Sequence, residues 1–296
     1  MSVEVLRYAA FTECGRGGNP AGVVLDAGSL TDPQMLAIAQ AIGYSETSFL
    51  TPVPGEAPPD KALEATVRFF SPVAEVAFCG HATIATAIAV AERTGPGVLR
   101  LHTQAGRVTV ESRFEDHSLV ATLTSPPTST RRLAPALLDE TLTALRWTRD
   151  DLDQRYPVHV AFAGNQHLML AVRTRGTLAG LDYDYPALAL LMDRQGWTTT
   201  HLFWSENATT FHARNPFPPG GVVEDPATGA AAAAFGGYLR DLGLVPVPSR
   251  VVVRQGHDLG SPSELLVDLS ASTTTVGVTG RATPLALSPY EELAAW

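Results

Sequence analysis

Two stretches of the chain are apolar or small on every side of a helix, and this constrains the fold more than any other feature. The helices predicted at 82–93 and 228–242 contain the runs ATIATAIAVAE and TGAAAAAFGGYL. A helix without a polar face must be buried on all sides. The simplest architecture places each helix inside a wrap of strands, one in each half of the chain. Ala and Gly then let the strands approach closely.

Strand-like and helical patterns fill the rest of both halves. Thr31 and Gln34 form a capping-box pattern, and Pro33 suits a first helical turn, which predicts a helix ending at Gly43. A further helix is predicted at 185–195. Segments with the composition of strands lie at 3–10, 21–26, 46–51, 64–70, 97–103, 106–113, 118–124, 157–163, 167–173, 208–214, 250–254, 264–270 and 274–279.

The two halves share an internal repeat at an offset of 146 residues. RFFSPVAEVAFCGHATIATA (68–87) aligns without a gap with RNPFPPGGVVEDPATGAAAA (214–233). The same offset places the Gly-Asn pair at 18–19 on the Gly-Asn pair at 164–165. Because two separated matches share one offset, we infer a duplication that gives two like domains.

The repeat has a chemical consequence at the start of each buried helix. In the gapless alignment Cys79 falls on Asp225. If the halves pack about a pseudo-twofold axis, the N-terminal ends of both helices face one cleft. Their N–H groups and positive dipole ends attract anions, so a substrate carboxylate is the expected ligand.

The repeat and the loop composition predict the domain boundaries. The first domain is expected at 1–125, completed by the C-terminal segment near 280–296, and the second at 136–279. The segment TSPPTSTRRLAP (124–135) concentrates Pro, Ser and Thr and is predicted to be the linker.

Composition limits the classes of function. With 45% apolar residues, the 296-residue chain is not disordered, and its net charge of −9 makes it a poor binder of nucleic acid and anionic membranes. Two cysteines cannot form a disulfide framework, and no apolar run is long enough to cross a membrane. The N-terminus lacks the pattern of a signal peptide, so we expect a cytoplasmic protein.

Common catalytic motifs are missing from the sequence. It contains no G-x-S-x-G motif, phosphate-binding loop or dinucleotide-binding fingerprint. Its eight histidines are scattered, without H-E-x-x-H or paired cysteines, so no metal site is predicted.

Four segments carry a family resemblance. They are GGNPAGVVLDA (17–27), GYSETSFL (43–50), RFFSPVAEVAFCGHAT (68–83) and GVVEDPATGAA (221–231), with a weaker match in QGHDLGSPS (255–263). Together they resemble the phenazine-biosynthesis PhzF-like family of isomerases and epimerases, relatives of diaminopimelate epimerase. The resemblance implies an α+β fold of two pseudo-twofold-related halves. Each half is a curled mixed β-sheet around a buried central helix, and the active site lies between them.

The resemblance also implies the site residues. Glu46 is the acid/base that transfers the proton, with His81 and Asp225 as catalytic neighbours. Neither a metal nor an organic cofactor is expected. The positions that match the family's substrate-binding residues are Asn19, Gly80, Ala82, Thr228, Gly229 and Ala230.

The chain departs from the family pattern at several positions. Ala230 stands where the family has Ser, and Ser261 stands where it has Arg. Both changes remove polar contacts and put the phenazine-precursor substrate in question. Cys79 lies at the first thiol position of diaminopimelate epimerase, but Asp225 or Pro226 replaces the second. A symmetric two-thiol racemase is therefore disfavoured.

Each candidate also has a purely structural interpretation. Asp225 precedes a proline and could be an ordinary turn or capping residue, and Glu224 is its nearest rival. His81 could be a capping or packing histidine. We interpret Cys79 as a small buried residue rather than an activated thiol, and Cys14 as structural.

Our leading hypothesis is a cofactor-independent isomerase that shifts a proton, and hence a double bond, on a small carboxylated metabolite. It is expected to act in secondary metabolism and to form a homodimer. Two alternatives stay open. One is an amino-acid epimerase or racemase, and the other is a non-catalytic small-molecule binding protein with the same cleft.

Overall fold

The computed structural model describes residues 3–53 and 62–286, and the chain divides into two compact units. The first contains the described residues up to Leu123 together with the segment from Arg281. The second unit is Thr124–Gly280.

The first unit is a mixed sheet with two helices. Its sheet has the strand order β18-β1-β2-β3-β4-β6-β7-β8, with the short β5 beside β4. The elements are β1 (Leu6–Ala10), β2 (Asn19–Val24), α1 (Asp32–Ile42), β3 (Glu46–Pro52), β4 (Leu63–Phe70), β5 (Glu75–Val76), α2 (Gly80–Thr94), β6 (Val98–Thr103), β7 (Gly106–Glu115), β8 (Ser118–Thr124) and β18 (Ala282–Pro284).

The second unit repeats this design with additional helices. Its strand order is β9-β10-β11-β12-β13-β15-β16-β17, with the short β14 beside β13. The elements are β9 (Ser129–Arg132), α3 (Pro135–Leu145), β10 (His159–Phe162), β11 (Gln166–Ala171), α4 (Arg175–Ala179), α5 (Tyr185–Gln195), β12 (Trp197–Ser205), β13 (Thr210–Phe217), β14 (Val222–Asp225), α6 (Gly229–Asp241), β15 (Ser249–Gln255), β16 (Ser263–Leu269) and β17 (Gly277–Gly280).

The two sheets have the same sequence of strand directions. In each, the third and fourth strands are parallel, as are the fifth and sixth, and the other neighbours are antiparallel. The predicted α+β class, a mixed sheet with few helices in each half, is confirmed.

The two helices without a polar face are the buried cores of their units. Ile84 and Ile88 of α2 are almost fully buried, as is every residue from Ala231 to Leu239 of α6. Two glycines of α6 make room for the surrounding chain. A Cβ added to Gly236 would lie 2.7 Å from a Val267 methyl carbon, which is closer than carbon atoms can pack.

The sequence patterns located most elements but missed several. Every segment with predicted strand character overlaps an observed strand, and the helix beginning after Thr31 is observed with Gln34 accepting from the Thr31 N–H. Helices α3 and α4 and strand β12 were not predicted. Strand β12 escaped notice because its sequence, WTTTHLFWS, is polar at three buried positions, Thr199, Thr200 and His201.

The predicted linker at 124–135 is wrong. Its residues Ser129–Arg132 form β9, which pairs with β10, and Pro135 begins α3, so the segment belongs to the second unit. The strand pairs on one side only within this unit. Such an end strand tolerates polar residues and neighbouring prolines, which is why its composition resembled a linker.

The structure corrects the register of the internal repeat. Phe70 pairs with Glu75 in the first unit, whereas Pro216, its counterpart at the offset of 146, pairs with Glu224. The loop between the paired strands is therefore three residues longer in the second unit. Beyond this loop the offset becomes 149, as the helix starts at Gly80 and Gly229 also show.

The equivalence of Cys79 with Asp225 is therefore wrong. At the corrected offset Cys79 corresponds to Thr228, and both are N-cap residues of their helices. Asp225 corresponds to Val76 instead. The position of the second thiol of a two-thiol racemase is occupied by Thr228, neither by Asp225 nor by Pro226. A threonine cannot replace a thiol as a base, so the argument against a symmetric two-thiol mechanism remains.

The sheet of the second unit contains two completely buried histidines. His167 Nδ1 lies 2.8 Å from Thr199 Oγ1, and His201 Nδ1 lies 3.0 Å from Asn215 Oδ1. Burial lowers the pKa of His167 to about 3 and that of His201 to about 4. Both rings are therefore neutral in the folded protein at neutral pH.

We expect the free energy of unfolding to fall as the pH drops below about 6.5, where the unfolded chain begins to protonate these histidines and the folded chain does not. Each ring contributes a loss of about 1.4 kcal/mol per pH unit down to its folded pKa. Urea unfolding between pH 7.5 and 5 measures the slope. His201→Gln should reduce the slope of the unfolding free energy against pH by about 1.4 kcal/mol per pH unit. An unchanged slope would contradict the assignment of His201 as a ring that stays neutral in the folded protein.

A second prediction concerns the close packing of α6. Gly236→Ala should destabilise the protein by about 1–3 kcal/mol, although alanine favours helices, because the added methyl overlaps Val267. The matched control is Gly97→Ala, where an added Cβ meets nothing within 4 Å. Thermal unfolding of both variants provides the comparison, and equal stability of the two would show that the helix can shift without cost.

Candidate active site

In the first unit, three ionisable side chains meet where α2 begins. Glu46 is the first residue of β3, Cys79 is the N-cap of α2, and His81 is its second residue. The Cys79 thiol donates to Glu46 Oε2 at 3.4 Å, and His81 Nε2 lies 3.4 Å from the same oxygen. Cys79 Sγ is 3.3 Å from His81 Nδ1. The structure thus brings together two predicted catalytic residues, Glu46 and His81, with a thiol.

The cluster is mostly buried, and Glu46 is its most exposed member. The side chain of Glu46 is 19% exposed and that of His81 is 7% exposed. A carboxylate that exchanges protons with a ligand needs this partial exposure, whereas a purely structural carboxylate is normally paired with a cation. The geometry therefore fits acid/base chemistry.

Asn19 and Ser45 orient the imidazole. The Asn19 amide nitrogen lies 3.2 Å from His81 Nδ1, and Ser45 Oγ lies 3.4 Å from Nε2. Because an amide nitrogen donates, Nδ1 accepts and the ring proton lies on Nε2, where Ser45 Oγ is its hydrogen-bond partner. Asn19 was among the predicted binding residues. Ser45 was missed, although it adjoins Glu46 in the quoted motif.

The first turn of α2 supplies the other predicted binding positions of this unit. Gly80 is the first helical residue and half-buried, and Ala82 is completely buried. The methyl group of Ala82 therefore packs in the core, and only its backbone could serve a ligand. The first N–H groups of a helix have no partner within the helix and can bind an anion.

In the second unit, a different polar network surrounds the start of α6. Asp225 ends β14, and its Oδ2 accepts from Thr228 Oγ1 at 2.6 Å. The buried Gln255 donates from Nε2 to the Asp225 carbonyl oxygen at 2.6 Å and to Thr228 Oγ1 at 3.0 Å. Its Oε1 accepts from the Thr228 N–H at 3.2 Å. Asp225 is thus fixed in place.

Gln255 is the residue of this network that sequence reasoning missed. The weak motif that begins with it was noted, but its partners lie 27 and 30 residues away. Gly256, which follows, has a φ of +76°, and a Cβ there would meet the Ser261 carbonyl oxygen. Among the predicted binding residues, Gly229 is buried and Ala230 is half-buried at the start of the helix.

Glu224, the rival of Asp225, has a structural role. Its side chain is 2% exposed and forms a two-oxygen ion pair with Arg214. Arg214 also donates to the carbonyl oxygens of Leu178 and Ala179. The first unit has the corresponding pair, Arg68 with Glu75, so this ion pair belongs to the repeated framework.

Metal-binding groups were not predicted, yet the cluster of the first unit contains suitable donors. The ligand atoms of Glu46, Cys79 and His81 all lie within 4.8 Å of one another. Sequence spacing could not show this, because β4 and β5 separate β3 from the start of α2 along the chain.

Several relatives share this fold and sequence. The sequence model of the PhzC-PhzF family, described as phenazine biosynthesis-like protein, matches residues 8–287. A protein of Deinococcus radiodurans described as an uncharacterized isomerase is 33% identical over 275 residues, which cover 90% of this chain and 87% of that protein. Trans-2,3-dihydro-3-hydroxyanthranilate isomerase of Pseudomonas chlororaphis is 30% identical over 254 residues, or 86% of each chain.

Solved structures match along almost the whole chain. A phenazine biosynthesis protein of the PhzF family from Bacillus anthracis superposes with a TM-score of 0.83, with 23% identity, over 96% of this chain and 97% of that chain. A predicted epimerase from Pseudomonas aeruginosa gives 0.81, with 26% identity, over 96% and 98%.

These findings first define the class: the protein is an isomerase. The family match then places it, since the chain belongs to the phenazine biosynthesis-like PhzC-PhzF family. Within the described residues, no helix has the length and apolar character needed to span a membrane.

The Gln255 network generates a stability prediction. Gln255→Met leaves the buried Thr228 N–H without its acceptor and should destabilise the protein by roughly 1–3 kcal/mol. Gln166→Met is the control, because Gln166 makes only a surface hydrogen bond with Arg131. Urea unfolding measures both variants. A loss no larger than that of the control would show that Gln255 does not hold the start of α6.

Proposed function

We propose that the protein moves a proton between two carbons of a small carboxylated metabolite, and so shifts a double bond, by acid/base catalysis at Glu46 without a metal or organic cofactor. The observation that carries the proposal is the cluster of the first unit, in which a partly exposed carboxylate accepts a hydrogen bond from the Cys79 thiol and lies 3.4 Å from the His81 imidazole. The relationship to a dihydrohydroxyanthranilate isomerase supports the same reaction class.

The hydrogen bonds suggest which carboxylate oxygen reacts. The Cys79 thiol donates to Oε2 of Glu46, and His81 Nε2 lies 3.4 Å from the same oxygen. These contacts fix the plane of the carboxylate, and Oε1 is the oxygen that we assign to the proton. Oε1 takes the proton from a C–H next to an unsaturated system, the double bond shifts, and Oε1 returns the proton to the far carbon. No atom is gained or lost.

His81 has a supporting role in this mechanism. Its Nε2 lies 3.4 Å from Oε2, while Ser45 and Asn19 hold the two ring nitrogens. The imidazole thereby stays beside the carboxylate as its charge changes. Preorganised donors of this kind need no rearrangement during the reaction, which is the main source of electrostatic catalysis.

We further propose that the second unit takes part through Asp225 and the first turn of α6. Thr228 and Gln255 position the carboxylate of Asp225. We assign this carboxylate to balancing the charge that develops on the substrate while Glu46 moves the proton. The N–H groups at Gly229 and Ala230 suit a substrate carboxylate. Because Ala230 lacks the hydroxyl of the family's serine, we expect a substrate that differs from the phenazine precursor.

An epimerase is the second candidate, and one observation favours it. The similar structure from Pseudomonas aeruginosa is described as a predicted epimerase. Isomerisation changes the ultraviolet spectrum of the product, whereas epimerisation changes only its optical activity.

Replacing Glu46 tests the proton transfer. Glu46→Gln keeps the size and polarity of the side chain but cannot accept the proton, so turnover should fall by about 10²–10⁴-fold while ligand binding changes only a few-fold. Dihydrohydroxyanthranilate and amino-acid probes in D₂O, followed by NMR, report both turnover and deuterium at the receiving carbon. Incorporation is incomplete if the same carboxyl carries one proton between both carbons.

The first unit offers a matched control. Glu64 also lies beside a histidine, with its Oε1 3.2 Å from His102 Nε2, but away from the start of α2, and Glu64→Gln should turn over normally. Cys79→Ser should lower turnover much less than Glu46→Gln. Normal turnover by Glu46→Gln would move the role to Asp225 or His81, and inactive but folded Cys79→Ser would favour a thiol mechanism.

The remaining expectations stay predictions. They are a place in secondary metabolism, a homodimer and a cytoplasmic location. Nothing in the acid/base mechanism requires any of them.

A further inference from the structure

The cluster that we assign to proton transfer also has the donor set of a zinc site. Cys79 supplies sulfur, His81 nitrogen and Glu46 oxygen. The Sγ–Oε2 and Nε2–Oε2 distances are both 3.4 Å, and Sγ lies 3.8 Å from Nε2. Tetrahedral zinc with ordinary bond lengths separates such ligand atoms by roughly 3.3–3.6 Å. The three side chains therefore need only small movements to share one ion.

We propose that this cluster binds one Zn²⁺ ion and that the bound ion inhibits the enzyme. The binding itself follows from the geometry. The inhibition rests on the proposed function, because a zinc ion held by Glu46 occupies the carboxylate that must carry the substrate proton. Zinc is thus an inhibitor of this isomerase and not its cofactor.

Charge and protonation balance in the proposed complex. The Cys79 thiol releases its proton to solvent, and the thiolate and the Glu46 carboxylate together offset the two positive charges of the ion. His81 binds through Nε2 after its ring proton moves to Nδ1, where the Asn19 amide can turn its oxygen to accept it. A neutral complex avoids leaving an unpaired charge in a mostly buried site.

The donor set selects the type of ion. A thiolate and an imidazole favour zinc over magnesium and calcium, which prefer oxygen ligands throughout. Three protein ligands leave one tetrahedral position open, as in zinc sites that accept an exogenous ligand.

The internal repeat predicts the stoichiometry. At the corrected register, Thr228 and Ala230 of the second unit take the places of Cys79 and His81. In the strand pairing, Glu46 corresponds to Thr199. Methyl and hydroxyl groups cannot replace the three zinc ligands, so one ion per chain is expected.

Direct binding is the first test and needs no substrate. Titration of the metal-free full chain with ZnCl₂ in a calorimeter should show one ion per chain with release of about one proton. Titration with Co²⁺ should give the near-ultraviolet band of a cobalt–thiolate bond. Cys79→Ser should abolish this band and weaken zinc binding by at least about 100-fold, since even changes to residues that only support metal ligands cost 10–100-fold.

Two control variants separate this site from unspecific binding. Cys14→Ser removes the other, exposed cysteine, and His102→Gln removes a histidine–glutamate pair that lacks a thiol. Both should bind zinc like the parent protein. Absence of stoichiometric binding, binding that survives Cys79→Ser, or binding lost in Cys14→Ser would each overturn the site.

Turnover measurements then test the inhibition separately. Zinc should abolish proton exchange by the parent protein, and EDTA should restore it. Zinc that binds but leaves turnover unchanged overturns the inhibition and argues against Glu46 as the proton carrier. Failure of zinc to bind, in a protein that Glu46→Gln inactivates, overturns the zinc site and leaves the proposed function intact.

Discussion

Each unit depends on burying a helix that has no solvent-facing side. One face of a flat sheet would cover only one side of such a helix and leave its other apolar sides in water, so the strands must curl around it. The small side chains of α2 and α6 allow this, and at Gly236 even a methyl group would be too large. The same enclosure fixes the N-terminal end of each helix, where the candidate site residues are found. Packing in the core thus determines where the chemistry can lie.

The sequence was most informative where the physical constraint was local. The all-apolar helices, the capping box at Thr31 and the alternating strands were predicted correctly, because helix burial, capping and strand alternation depend on neighbouring residues. Strand β12 was missed, since its threonines and His201 are polar residues buried by long-range pairing. Strand β9 was mistaken for a linker for a related reason. A strand at the end of a sheet needs few apolar residues, so its sequence can look like that of a loop.

The candidate site was predicted in part. Glu46, His81 and Asn19 were identified from motifs, and the structure brings these three together with Cys79. Cys79 was given a packing role because nothing in the sequence shows that β3 begins beside it. The roles of Ser45 and Gln255 could not be found either, since neither residue type suggests chemistry without its partners. The register of the repeat was wrong by three residues, because a gapless alignment cannot show a longer loop.

The strand order of the first unit also bears on how the chain folds during synthesis. Strand β18 lies at the C-terminal end of the described chain, and it pairs with β1 near the N-terminus. The second unit, in contrast, is one uninterrupted stretch of sequence. A ribosome therefore releases every strand of the second sheet before it releases the last strand of the first. Until then β1 has a free edge, which exposes unpaired backbone groups to other chains. The first half to be synthesised is thus the last to be completed, and until then its open edge is a site at which nascent chains can aggregate.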